Sequence, residues 1–301
     1  MANGREIKNR IGSVRNTRKI TNAMYLISSS KLRKARAELA KTRPFFRATE
    51  HEIKRIFQST SEVESQYFYP SSGPTKAETV AFLVITSDRG LAGAYNYNVI
   101  RRAEAEIRKR EKVRLFVIGD YGRRYFKHHN GPVEETFFYT AQDPTFRRAR
   151  EISYTLLTEY TEGRADEIRI IYSDMENDMV STVKCVRVLP FERKMFLSEE
   201  EAENSSDQMY KFEPSASKVL DQMIPSYMAG FIYGAMVDSF SAEQNARMNA
   251  MHTATENADE LMGDLQIEYN RVRQSAVTQE ITEVASGARA QKKKKKKNFR
   301  R

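Results

Sequence analysis

The stretch IKNRIGSVRNTRKITNAMYLISSSKLRKARAEL, Ile7 to Leu39, decides the architecture. Ile7, Ile11, Val14, Arg18, Thr21, Tyr25, Ser28, Leu32, Ala35 and Leu39 follow one another at alternating steps of four and three. That spacing keeps one stripe of a helix against a partner helix. The seam is apolar at first and turns small and polar at Thr21 and Ser28. Ile20, Met24 and Ile27 form a second stripe beside it, and a helix with two stripes touches more than one neighbour. No glycine follows Gly12, and Pro44 is the one proline before the next turn signals, so the spacing predicts one long helix over residues 3–58.

The other end of the chain answers it. Met251, Thr255, Ala258, Met262, Leu265, Tyr269, Val272 and Ala276 repeat the same steps, and a helix is predicted over residues 215–288, bent at Pro225. At 1.5 Å per residue it would be on the order of 100 Å long, more than a globular domain needs. Two long helices at opposite ends of a chain pair most simply antiparallel. Charge favours this modestly: residues 1–58 carry 15 basic and 4 acidic groups, against 5 and 10 in residues 214–291.

Between the helices the pattern changes. Thr79–Thr86 is a continuous apolar run, Val113–Ile118 a second, Val133–Phe138 a weaker third and Ile168–Tyr172 a fourth. Val180–Leu189 alternates apolar and polar, as an edge strand does. Helices are expected at about 97–110, 120–129 and 144–161. Strands alternating with helices imply a mainly parallel sheet, hence an α/β unit flanked by a long antiparallel coiled coil. The expected boundaries are an N-terminal helix at 1–58, a linker at 59–77, the α/β domain at 78–193, an acidic insertion at 194–213, a C-terminal helix at 214–290 and a basic, disordered tail at 291–301.

Composition narrows the function classes. The 301 residues are 40% hydrophobic and 30% charged with a mean hydropathy of −0.65, and no apolar run reaches the ~20 residues of a membrane span. The N-terminus lacks the apolar centre of a signal peptide. One cysteine, Cys185, rules out an internal disulfide framework, and His51, His128, His129 and His252 show no ligand pairing, so no structural metal is expected. The net charge of +10 divides into a basic head, an acidic middle and a basic tail from Lys292 to Arg301, which suggests partners of both signs.

The turn Ser87-Asp88-Arg89-Gly90-Leu91-Ala92-Gly93 follows the first strand, where glycines can cradle phosphate. It matches neither nucleotide-binding fingerprint and no P-loop lysine follows, so a tight structural turn is the better reading. Gly119 and Gly122 serve the entry into the next helix. No nucleophile, base and acid fall in a catalytic context. The basic first helix, with Lys31, Arg33, Lys34, Arg36, Lys41 and Arg43, leaves nucleic-acid binding as an alternative, weakened because base-stacking aromatics are not interleaved with the charges.

Several strings resemble ATP synthase gamma subunits: Arg5–Val14, Thr17–Met24, Ser29–Ala35, Ser87–Leu91, Ala246–Met251, Ala254–Ala258 and Tyr269–Glu283, in order over about residues 3–290. The resemblance implies a paired-helix shaft and a Rossmann-like domain in a non-catalytic rotor subunit. It implies no cofactor, no metal and no nucleic acid. One copy would join the alpha and beta subunits of the catalytic hexamer, the epsilon subunit and the membrane rotor ring, as a peripheral protein at the cytoplasmic face of the cell membrane. The residues matching the family's shaft-to-ring contacts are Met24, Arg273, Gln274 and Thr278, with Lys19, Lys31 and Arg33 as weaker electrostatic contacts. Ala92 stands where the family often has cysteine, and no cysteine pair is present for thiol regulation. The family usually ends close to Ala288. A run of lysines is too costly to bury unpaired, so the tail is expected to pass beyond the ring's apolar sleeve or stay disordered.

Overall fold

The computed structural model describes residues 4–59, 65–69, 77–175, 181–192, 195–196 and 212–298. The chain divides into two compact units, one of Met1–Leu26 with Met251–Arg301 and one of Ile27–Ala250. Both long helices, α1 (Gly4–Ser59) and a last helix over Ala216–Asn298, are shared between the units. The sequence reading had assigned each whole to a coiled coil.

In the first unit the two helices pair antiparallel. Tyr25 packs against His252, Thr21 Oγ1 lies 2.7 Å from Thr255 Oγ1, Arg18 pairs with Asp259 at 2.5 Å, and a Cβ on Gly4 would stand 3.7 Å from Val272. Ile7 is buried, as are Thr21, Met251, Ala258 and Leu265, while Ile11, Val14, Met262, Tyr269 and Val272 are half-buried. The seam therefore runs where the spacing put it. It ends at Val272, because Ala276 is exposed.

The second unit is built on a four-stranded sheet of β1 (Thr79–Ile85), β2 (Lys112–Ile118), β3 (Glu167–Met175) and β4 (Ser181–Leu189), in the order β2-β1-β3-β4. β1 is parallel to both neighbours, Val80 facing Val113 on one side and Glu167 on the other, and β4 is an antiparallel edge on β3. Strand side chains alternate between faces. Val80, Phe82 and Val84 therefore meet α2 (Tyr95–Ile107), α3 (Asp120–His128) and Ala242 of the last helix. Ala81, Leu83 and Ile85 meet α4 (Phe146–Thr161), the end of α1 through Ile53, Ile56 and Phe57, and the start of the last helix, now α5, through Leu220, Ile224 and Met228. Each such Val, Leu, Ile, Phe or Met side chain contributes about 1.5–3 kcal/mol on burial. Two covered faces explain why β1 reads as an unbroken apolar run.

Three expectations are corrected. Val133–Phe138 is not a strand. Its backbone pairs with β2 through isolated bridges, of Val133 with Leu115 and of neighbouring Tyr139 with Ile118, because Pro132 precedes it and the Phe137 amide turns back to donate to the Glu134 carbonyl. Within the linker, residues 65–69 dock: Phe68 bridges to Phe191 and joins Phe57, Phe196 and Tyr227 in an aromatic cluster. Finally, α5 continues through the lysines to Asn298, since lysine is a good helix former and cations suit a helix C-terminus. Apart from residues 195–196 and 212–213, the acidic insertion lies outside the described residues.

Candidate functional site

From Arg273 to Arg289 every residue of α5 is exposed. This is about 25 Å of helix with no companion among the described residues of its own unit, since the pairing with α1 stops at the level of Gly4 and Val272. An isolated helix of this length is marginal in water. It nevertheless presents Val277, Ile281 and Val284, the last two 63% and 74% exposed. Their steps of four and three set them on one face with Arg273. Gln274 and Thr278 lie on the adjoining face, where Arg271, Gln274, Ser275, Thr278, Gln279 and Thr282 line one shallow groove. The Thr278 hydroxyl donates to the Gln274 backbone carbonyl at 2.9 Å, and Gln274 itself is exposed. A surface of this kind, an apolar stripe bordered by Arg and Gln donors, fits an enclosing partner with an apolar lining and acceptor groups.

Met24 is half-buried beside exposed Ile20, Leu26 and Ile27 on α1. Thr21, one turn away, is level with Thr255, which lies 18 residues and about 27 Å along α5 from Arg273. The structure thus gathers Arg273, Gln274 and Thr278 and keeps Met24 apart from them. Lys19 and Arg33 are exposed, with Arg33 donating to the Ser29 hydroxyl at 2.9 Å. Lys31 is half-buried and donates to Gln142 Oε1 at 2.9 Å. The sequence reading passed over Val277, Ile281 and Val284, although their spacing runs as a stripe beside the seam.

The turn after β1 is closed on itself. The Ser87 amide donates to Asn96 Oδ1 at 3.0 Å, and the Ser87 hydroxyl donates to the Arg89 carbonyl at 2.6 Å. The Asp88 carboxylate accepts from the Thr140 hydroxyl and from the amides of Asp120, Ala141 and Gln142 at 3.1–3.3 Å. An anion here would face a carboxylate and find the Ser87 amide taken, so the geometry is that of a structural turn. Gly119, at φ 93°, supports it: a Cβ there would stand 2.4 Å from the Thr86 carbonyl. Buried beneath, Glu243 of α5 pairs with Arg247 at 2.7 Å, and burial, opposed by Arg247, holds its carboxyl above the usual range. Among the described residues no three His, Cys, Asp or Glu side chains converge as for a metal ion, and no helix is long and apolar enough to cross a membrane.

These features define a class: a protein whose working surfaces are helix faces rather than a pocket with reacting groups. The chain matches the family described as ATP synthase over residues 3–291. It is 44% identical to the ATP synthase gamma chain of Caldanaerobacter subterraneus subsp. tengcongensis, covering 94% of this chain and 98% of that one. It is 42% identical to the gamma chain of Ruminiclostridium cellulolyticum, covering 96% and 99%. The chain belongs to the ATP synthase gamma chain family, and as such it is a non-catalytic subunit. The fold agrees with a solved chain of the Euglena gracilis mitochondrial ATP synthase, at 15% identity and a TM-score of 0.64 over 95% of this chain and 94% of that one. Family membership gives the nucleic-acid alternative no support. Some of the cations behind that alternative are also engaged within the chain: Lys31 by Gln142, Arg33 by Ser29 and Lys41 by Glu38.

Proposed function

We propose that this chain is the central shaft of a rotary ATP synthase, with residues 273–289 of α5 turning inside a ring of alpha and beta subunits. The observation that carries the reading is the fully exposed end of α5 with its apolar stripe, which needs an enclosing partner. Arg273, Gln274 and Thr278 contact the inside of the ring. Met24, with Ile20 and Ile27, forms a second contact face, to which Lys19 and Arg33 bring positive charge. The α/β unit rests on the epsilon subunit and the membrane rotor ring at the cytoplasmic face.

Such a shaft is chemically asymmetric around its axis, so it presents a different face to each of three identical sites. Contacts that differ between conformations of a site shift its equilibrium, and contacts that do not differ shift nothing. Rotation then permutes the three affinities, and ATP chemistry stays with the beta subunits. Co-expression with the cognate alpha and beta subunits tests this: one copy is expected to co-purify with three alpha–beta pairs. Arg273→Ala with Gln274→Ala is expected to slow ATP turnover about tenfold, the loss of roughly 1.4 kcal/mol from charge-assisted contacts. Elution of the chain alone, with a ring whose turnover ignores it, contradicts the reading.

A further inference from the structure

One set of buried polar contacts in the second unit belongs to neither proposed contact face. Arg247 of α5 is buried, and its guanidinium pairs with Glu243 and donates to the carbonyls of Arg89 and Gly90 at 3.4 and 3.2 Å. Those carbonyls belong to the turn that Asp88 ties to the Thr140 hydroxyl and to the amides of Ala141 and Gln142. The side chain of Gln142 accepts from Lys31 of α1 at 2.9 Å, and Arg148 of α4 donates to the Gln142 and Asp143 carbonyls at 2.8 and 3.2 Å. A continuous chain of bonds therefore runs from α5 through the turn after β1 to α1, with a brace to α4.

Its place along the helices is informative. Lys31 lies five residues from Leu26, and Arg247 lies four residues from Met251, the points at which each helix passes from the second unit to the first. Elsewhere in that unit α1 and α5 meet the sheet mainly through apolar side chains, as Ile56, Phe57, Leu220 and Ile224 do. Apolar burial is non-directional and permits small rotations of a helix about its axis. Hydrogen bonds from a guanidinium to two successive carbonyls are directional and resist such rotation.

We propose that this lattice is the torsional lock through which torque passes between the α/β base and the two long helices, with Arg247 and Gln142 as its positioning residues. The proposal rests on the shaft reading above. It also gives the Ser87–Gly93 turn a role: it is the keystone between the two helices rather than a ligand cradle.

The test is single-molecule rotation of the assembled complex, with the catalytic ring fixed and a bead on the base, reading angular fluctuation during catalytic pauses. Two ties act in parallel, so releasing either helix is expected to raise the angular variance about twofold while ATP turnover stays within about twofold of wild type. Arg247→Leu releases α5, Arg247→Lys restores part of the tie, and Gln142→Ala releases α1 from a half-buried site where folding is not at stake. Unchanged variance in Arg247→Leu and Gln142→Ala overturns the proposal, even if either lowers thermal stability. If Arg247→Leu fails to assemble, Gln142→Ala decides alone. A wild-type chain that does not join the ring, or joins without rotating, defeats the shaft reading instead, so the two failures are distinguishable.

Discussion

Asp238 of α5 is half-buried beside Asp174, with Arg36, Arg43 and Lys184 also in range, and its carboxyl is pushed up to about 6, first by burial and then by Asp174. A carboxyl whose folded pKa exceeds its unfolded value near 3.9 binds protons more tightly when folded. Its contribution to stability is therefore largest below the unfolded pKa and is lost as pH rises from about 4 to about 6. Above that, Asp238 is charged and costs on the order of 3 kcal/mol. Asp238→Asn is expected to raise the denaturant midpoint of the isolated chain at pH 8 and to lose that advantage at pH 4; an equal effect at both pH values would remove burial as the cause. Nothing in the local sequence marked this position, because the charges facing Asp238 come from α1, β3 and β4. Glu243 and Arg247 were hidden for a similar reason. An acid and a base four apart on a helix read as a solvated pair, and only the turn delivered by β1 shows that they are buried.

At the scale of elements, periodicity carried most of the fold. The seams of α1 and α5, the covered strand β1 and the antiparallel edge β4 were legible because each repeats one physical pattern over many residues. Val133–Phe138 misled because a short β-rich run carries no sign of the turn that diverts it. The length of seam on α5 was overestimated because spacing cannot tell where the partner helix begins. At Thr21 and Thr255 the polar part of the seam has a specific basis. Thr21 is placed to donate to the Arg18 carbonyl at 3.0 Å, Thr255 to the Met251 carbonyl at 2.8 Å, and the two hydroxyls lie 2.7 Å apart. Two protons serve three contacts, so one backbone bond is given up to join the helices. Thr21→Val and Thr255→Val are expected to be non-additive by roughly 0.5–1 kcal/mol in a double-mutant cycle; additive costs would mean that the hydroxyls do not act as a pair. A polar pair within an apolar seam fixes register, which matters for a shaft whose faces must keep their angular positions.

For the whole molecule, the candidate contacts were legible only in part. Arg273, Gln274 and Thr278 were chosen by resemblance, and a physical reason for proposing them is that they border an apolar stripe on a helix end with no companion among the described residues of its unit. Lys31 was chosen the same way and donates to Gln142, a contact between residues 111 apart in the chain that no local pattern announces. The central claim is that the end of α5 is enclosed by partner subunits, and it is tested most directly by accessibility at Ile281. With Cys185 replaced by Ser, Ile281→Cys supplies a single thiol on the exposed stripe. The free chain is expected to react with a soluble maleimide as fast as an unstructured peptide, and the complex with alpha and beta subunits at least about tenfold more slowly, as burial in a close-fitting interface requires. Equal labelling rates in the free chain and in the assembled complex would contradict the account.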